Sequence, residues 1–537
     1  MPVVVRHNSG MQQSGGPSTL PAGRAAGGAH DEPADDHGIV LPSHDDPVAR
    51  VGSEVVGGPV GRHADIGHRG AGSSWWTPLR VMLALVFLVS GLGLVQKQHC
   101  RAEGFTPPGH FFHGCYSDIP PLYYGRGLAE GDVPYIDQPE DQQVEYPVLT
   151  GAVMWLTAKP VPGGDDQNNR SRWYFDINAL AIAMCAAVAV FATVKLAGRR
   201  PWDAALVALA PGLLLAGTIN WDLYAVVLLA LGMLAWARRR PVAAGVLIGL
   251  GAAAKFYPLF ALGPLFVLCW RAGRLREFWV TLAGAVGAWL AVNVPVMLID
   301  FDGWARFYTL SRERAEGFSS IWFVLDQHGH GVPDNLLNPL AGGLFVVACA
   351  AIAVLGLTAR RRPRVPQLLF LTVAAFLLTN KVYSPQYVLW LIPLAALARP
   401  RWRDFLIWQL TEAIHFFGIW MLLAGYPPGT ANRALDKEVY GVTVALHIAG
   451  TLWLCLFIVR DILRPDLDPV RADGADDPAG GVLEDAPDAF RLPLPWGSGR
   501  QGSDVDHPVG VGGGQPDRAV EHGADGGRGH VTRDEDQ

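Results

Sequence analysis

Between residues 77 and 462 the chain alternates apolar runs with short polar breaks, and several runs approach the roughly 20 residues a helix needs to cross a bilayer. The pattern predicts spans near 79–97, 173–197, 201–218, 222–237, 241–256, 258–270, 277–299, 339–358, 366–380, 386–399, 404–424 and 439–459. The stretch 241–270 fits a hairpin better than one helix, which would run about 45 Å and hold Lys255 near its middle. The expected fold is therefore an all-α polytopic membrane protein of about twelve transmembrane helices.

Basic residues test the parity of that scheme. With the N-terminus inside, Arg199-Arg200, Arg238–Arg240, Arg271–Arg276, Arg360–Arg364, Arg399–Arg403 and Arg460–Arg464 all fall on the cytoplasmic side, as the positive-inside tendency requires. Tyr146–Ala158 is apolar but only about half a bilayer long, and counting it as a span would invert Arg199-Arg200. It is expected as a juxtamembrane or re-entrant helix within a long first extracytoplasmic loop, 98–172. Both termini are then cytoplasmic. The unusual polar residues, among them Asn220-Trp221-Asp222, Lys255 to Pro258 and Asn380 to Gln386, gather on the outer side, so function is expected there.

Composition changes the picture only at the ends. Half of all residues are hydrophobic and 17% charged, which excludes an ordinary soluble chain. Residues 1–76 and 463–537 are instead rich in Gly, Pro, Asp, His and Arg, with almost no aromatic residues before Trp75; both are expected to be disordered cytoplasmic tails. The leader before Met82–Val95 is too long for a signal peptide. The net charge of −6 comes largely from the tails and outer loops, and no basic field interleaved with aromatics points to nucleic acid.

Of six cysteines, Cys185, Cys269, Cys349 and Cys455 sit in apolar runs as small hydrophobes, whereas Cys100 and Cys115 share the polar first loop. Those two are expected to form a disulfide in an oxidising compartment, the alternative being two free thiols. No Cys/His spacing indicates a metal, and His328 and His330, in a Gly- and Asn-rich loop, fit solvated side chains better than ligands. No cofactor is expected. Glu412 and His415, three apart in an apolar helix, share a face and are expected to pair with each other or with another helix.

The first loop carries Tyr116, Asp118, Tyr123, Tyr124 and Arg126, then Gly131-Asp132-Val133-Pro134-Tyr135 and Glu145-Tyr146-Pro147. Transfer of a sugar from a lipid phosphate expels a phosphate anion, which needs charge stabilisation, while the acceptor hydroxyl needs one carboxylate as base. Asp118 suits that base, or alternatively caps the helix expected to begin at Pro120 or Pro121. Tyr123 and Tyr124 are candidate sugar platforms beside Tyr116. Asp222 is either a substrate contact or a turn residue. Lys255 and Lys381, each beside Tyr and Pro at an outward turn, suit a donor phosphate or snorkel as interface anchors. Arg126 either joins them or pairs with a loop carboxylate. Tyr257 and Gln386 are neighbouring candidates for substrate binding. Asp132, Asp137, Glu140, Asp141 and Glu145 are rival carboxylates of the same loop, Glu145 being placed to favour the start of the juxtamembrane helix.

Four motifs in order on one face resemble glycosyltransferase family 87: the loop from Asp118 to Glu145-Tyr146-Pro147, the Asn220-Trp221-Asp222 hairpin, the glycine pattern Gly245, Gly249 and Gly251 leading to Lys255, Tyr257 and Pro258, and Lys381 to Trp390. The resemblance covers about 80–460. It implies a GT-C-like bundle, a polyprenyl-phosphate-mannose type of donor as in actinobacterial mannosyltransferases, a lipid or glycan acceptor, a membrane-embedded site under the first outer loop, and a catalytic acidic residue at Asp118. Mannose is the family's default, and arabinose and glucose stay open. A transporter or lipid flippase is the alternative, set back by the lack of a second copy of the first loop or of Asn220–Asp222. A ligase or scaffold acting through its tails is a third.

Overall fold

The computed structural model describes residues 38–56 and 75–493, apart from residues 137 and 473. Among them, six helices are long and apolar enough to cross a membrane: Pro78–Gln96, Gln167–Leu196, Leu275–Ile299, Asp334–Thr358, Trp402–Leu423 and Lys437–Leu463. Their starts follow ordinary capping chemistry. Pro78 stands in the first turn behind Thr77, whose hydroxyl accepts the Arg80 amide, and Asp166 accepts the amide of Asn169 at 3.1 Å.

Shorter apolar helices, Asp222–Ala237, Pro241–Ala254, Leu262–Arg271, Val365–Thr379 and Val388–Ala398, fill the middle. Every residue of Val388–Ala398 is buried. Leu275–Ile299 and Asp334–Thr358 instead expose Leu290, Leu298, Val346 and Val347. An apolar surface of that kind, on helices with satisfied backbones, suits lipid rather than water.

The expected span 201–218 is not one helix. Pro201 and Pro211 restart it twice, giving a 3-10 turn Pro201–Ala204 and short helices Ala205–Ala208 and Pro211–Ala216, because neither proline can donate to the preceding turn and Ala210 is forced extended. The carbonyls beyond Ala216 have a use. Ser117 Oγ donates to the Thr218 carbonyl at 2.8 Å and the Asp118 amide to the Ile219 carbonyl at 2.7 Å, which ties the first loop to the bundle.

That loop is built rather than loose. A disulfide joins Cys100 and Cys115. Tyr135 donates its hydroxyl to the carbonyls of Tyr146 and Pro147, and the apolar helix Val148–Ala158 packs on Pro241–Ala254, with Thr150 Oγ1 donating to the Ala254 carbonyl at 2.7 Å.

At the opposite end the two expected tails need correcting. Residues 42–56 form the short helices Pro42–Asp45 and Pro47–Val56, and residues 465–492 form a folded strap across the arginine-bearing turns. Asp468 pairs with Arg364 at 2.8 Å, Asp488 with Arg271 at 2.6 Å and Arg362 at 2.8 Å, and Asp476 with Arg361 at 2.9 Å. Asp45 meets Arg200 at 3.1 Å, and Trp236 donates its indole N–H to the Gly480 carbonyl. Composition hides such a strap because it is held by ion pairs with partners elsewhere in the chain rather than by an apolar core of its own. The rest of both expected tails, and Asp137, lie outside the described residues.

Burial raises the Asp468 carboxyl, but Arg364 outweighs it and leaves the group below its ordinary value. Burial pushes Asp477 up to about 6 against the pull of Arg364. The signs therefore oppose. Ionised Asp468 contributes stability above its unfolded pKa, lost as pH falls through its folded one; Asp477 favours the fold while protonated, and that contribution fades as pH rises toward about 6. Asp468→Asn, which leaves Arg364 buried beside a neutral partner, should cost about 3–5 kcal/mol at neutral pH, whereas Asp477→Asn should leave thermal unfolding of the purified protein unchanged or raise its midpoint. Equal losses from both would contradict this assignment.

Candidate active site

A cavity of about 730 Å³ opens where the first loop, the turn at Lys255, the loop helix Phe301–Glu313 and the segment Lys381–Tyr387 meet. Asp118, Lys255, Tyr257, Lys381 and Gln386 all line it. Asp118 occupies the N-cap position of helix Ile119–Gly125, yet its side chain makes no capping bond. The carboxylate turns away and accepts the Tyr116 hydroxyl at 2.6 Å and the Tyr146 hydroxyl at 3.4 Å. The side chain stays partly open to the cavity. Burial raises the Asp118 carboxyl above its usual range, opposed by the Tyr116 hydrogen bond and the nearby Lys255 charge and assisted by Asp222. A carboxylate so placed is a stronger base than a solvated one.

Asp222 begins helix Asp222–Ala237, with its amide held by the Asn220 side chain at 3.0 Å and Trp221 anchored to Asn178 at 2.7 Å. Its carboxylate lies 2.8 Å from Lys255 Nζ and accepts the Trp390 indole N–H at 2.9 Å. Lys255 is presented by the end of Pro241–Ala254, where its own backbone turns extended. Its ammonium also sits 5.1 Å from the Tyr146 ring and 5.5 Å from the Tyr387 ring, within cation–π range. Trp390 is sandwiched between Tyr257 at 4.3 Å and Tyr387 at 4.0 Å.

Lys381 is the other cation. Its ammonium donates to the carbonyls of Arg312 (2.9 Å) and Arg314 (2.5 Å), fastening the end of the loop helix. Those acceptors are neutral, and Lys381 makes no close ion pair among the described residues, Asp334 and Glu316 acting on it only at longer range. Burial, with Arg314 adding to it, lowers the Lys381 pKa. Arg314, which sequence reading passed over, is exposed and lines the same wall.

Four expected site residues do not line the cavity: Asp222, buried against Lys255 and Trp390, and Arg126, Tyr123 and Tyr124. Arg126 is locked to Glu145 at 2.7 Å; Glu145, which does line the cavity, is held in this pair and starts no helix, because Val148–Ala158 begins after Pro147. Tyr123 is buried against Tyr174 at 4.5 Å with its hydroxyl on Arg170, and Tyr124 donates to the Gln167 carbonyl. Both tyrosines staple the loop to helix Gln167–Leu196. The aromatic residues that do line the cavity include Tyr116, Tyr146, Tyr308, Tyr387, Trp390 and Trp420. Tyr146 and Trp390 belong to the motifs already noted, whereas nothing local in the sequence marks Trp420, which stacks on Tyr116 at 4.6 Å.

Lys255 and Asp222 form a buried pair, so removing one charge strands the other. Lys255→Ala should lower stability by about 3–5 kcal/mol in a thermal unfolding assay, and Lys255→Ala with Asp222→Asn should recover part of that loss. A double variant as unstable as the sum of the two singles would mean that the two side chains do not act as a pair.

Compared with known protein families, residues 146–380 match the model of glycosyltransferase family 87, from Tyr146 in the cavity wall to Asn380 beside Lys381. No curated protein matches the chain.

Proposed function

Proceeding from a membrane glycosyltransferase of family 87, we propose that the cavity transfers a hexose, most simply mannose, from a polyprenyl-phosphate sugar to a lipid or glycan acceptor. The observation that carries this reading is Asp118, a carboxylate at a helix N-terminus that leaves the cap unmade and faces a cavity walled by tyrosines and cations. Asp118 takes the proton of the acceptor hydroxyl. The oxygen forms its bond to the sugar C1 as the C1–O bond to phosphate breaks, and polyprenyl phosphate leaves with that electron pair, inverting the configuration. Lys381 and Arg314, with Lys255 between the carboxylates, supply the positive charge for the departing phosphate, which counts for most in a water-poor groove. Asp222 orients Lys255. Tyr257, Tyr387 and Gln386 offer two rings, each backed by Trp390, and an amide to the sugar.

The arrangement of charge supports an extracytoplasmic site. The arginine-bearing turns and both described terminal segments share the end opposite to the cavity, which supports cytoplasmic termini.

Asp118→Asn keeps the Tyr116 partner but cannot accept a proton. It should bind donor normally and lose about 10²–10⁴-fold in turnover of polyprenyl-phosphate-linked sugar by purified protein. Near-normal transfer would move the base to Asp222. Loss of a mere cap would instead cost about 1 kcal/mol of stability with turnover kept.

The pH profile gives a second test. Activity requires ionised Asp118, so the rate should fall as pH drops through a pKa above the usual aspartate value of about 3.9. Tyr116→Phe removes a bond that favours the ionised form and should move that acidic limb further up. A limb left in place would detach Tyr116 from the base.

A further inference from the structure

A set of buried ionisable side chains that the mechanism does not use lies behind the cavity wall, between helices Trp402–Leu423 and Lys437–Leu463. These helices pack closely enough that a Cβ on Gly450 would fall 2.0 Å from Thr411 Oγ1. Glu412 pairs across this contact, not with His415 on its own helix: its carboxylate lies 2.9 Å from His447 Nδ1, accepts the Trp408 indole at 2.9 Å and accepts Thr451 Oγ1 at 3.3 Å. His415 stacks on His447 at 4.4 Å. All of these side chains are buried.

The network reaches the cavity through one residue. Tyr383 lines the cavity, its ring lies 3.9 Å from the His447 ring, and its hydroxyl shares a hydrogen bond of 2.9 Å with Thr451 Oγ1. With Thr451 donating to Glu412, Tyr383 donates to Thr451, so the bonds form a polarised chain ending on the carboxylate. Tyr383 sits in the segment whose Lys381 holds the loop helix, whose Lys381 carbonyl accepts the Gly317 amide at 2.7 Å, and whose Gln386 faces the substrate space.

An acidic side chain in an apolar bundle is costly and seldom placed there for helix packing alone, which apolar residues serve as well. We propose that Glu412, His447 and Thr451 are positioning residues that fix Tyr383, and through it the Lys381–Gln386 wall against which the donor sits. The identity of the donor rests on the reading above; the fixing of the wall does not.

The test uses Thr451→Val, which keeps shape and cuts the chain, and Tyr383→Phe, which cuts it from the other side. Hydrogen exchange by mass spectrometry should show amides of 380–387 and of Gly317 exchanging roughly fivefold faster in each variant, as expected for one lost hydrogen bond. The KM for polyprenyl-phosphate sugar should rise by a similar factor with kcat retained, and the double variant should be no worse than either single one. Glu412→Gln, which keeps an acceptor oxygen, should be milder than Glu412→Leu. Unchanged exchange at 380–387, with only the unfolding temperature lowered, would make the network a staple between two helices and overturn the proposal; so would faster exchange with unchanged KM. If the wild-type protein transfers no sugar from such donors, the proposed function fails, and the exchange measurement alone decides on the fixing of the wall.

Discussion

An apolar helical bundle takes in ionisable side chains chiefly where partners meet them, and that constraint orders much of the molecule, with Lys97 and Lys381, whose ammonium groups rest on backbone carbonyls, standing apart. Lys255 is set against Asp222, Glu412 against His447, and the arginines of the turns against the aspartates of the strap. Each set satisfies charges whose isolated burial would cost far more than a helix contact returns. Asp118 departs from the rule: what holds its carboxylate is two tyrosine hydroxyls, with Lys255 acting at longer range. Of the two acidic residues that line the cavity, Glu145 is paired with Arg126 and Asp118 has no ion pair, which suits the place where a base would stand.

How much of this was legible depended on whether the physics was local. Apolar runs located most of the helices, because span length and desolvation cost act residue by residue. Asp118, Lys255, Asp222 and Lys381 stood out for a related reason: polar groups beside apolar runs at outward turns have few structural excuses. Tyr123, Tyr124 and Arg126 misled because the loop uses the same residue types to fasten itself, through Tyr174, Gln167 and Glu145, as it would to hold a sugar. Nothing in their spacing separates those roles. The strap was missed for the opposite reason, since its partners are hundreds of residues away and its composition matches that of an unfolded tail. Span 201–218 was misjudged because its apolar run continues across the break at Ala210-Pro211.

The helix end at Ala216 and the unmade cap at Asp118 are linked. Carbonyls at and beyond a helix's last turn have no partner in the ladder and must find one elsewhere. The chain presents the Thr218 and Ile219 carbonyls to Ser117 and to the Asp118 amide, which fixes the backbone at the start of Ile119–Gly125 without help from the Asp118 side chain. With its helix start held from outside, the carboxylate is released from the structural task that its position would otherwise impose. Ser117 also takes over part of the cap, since its hydroxyl accepts the Ile119 amide at 3.2 Å. Two carbonyls about one hundred residues away in sequence thus leave the Asp118 carboxylate free to face the cavity, by the plain requirement that every buried backbone group find a partner.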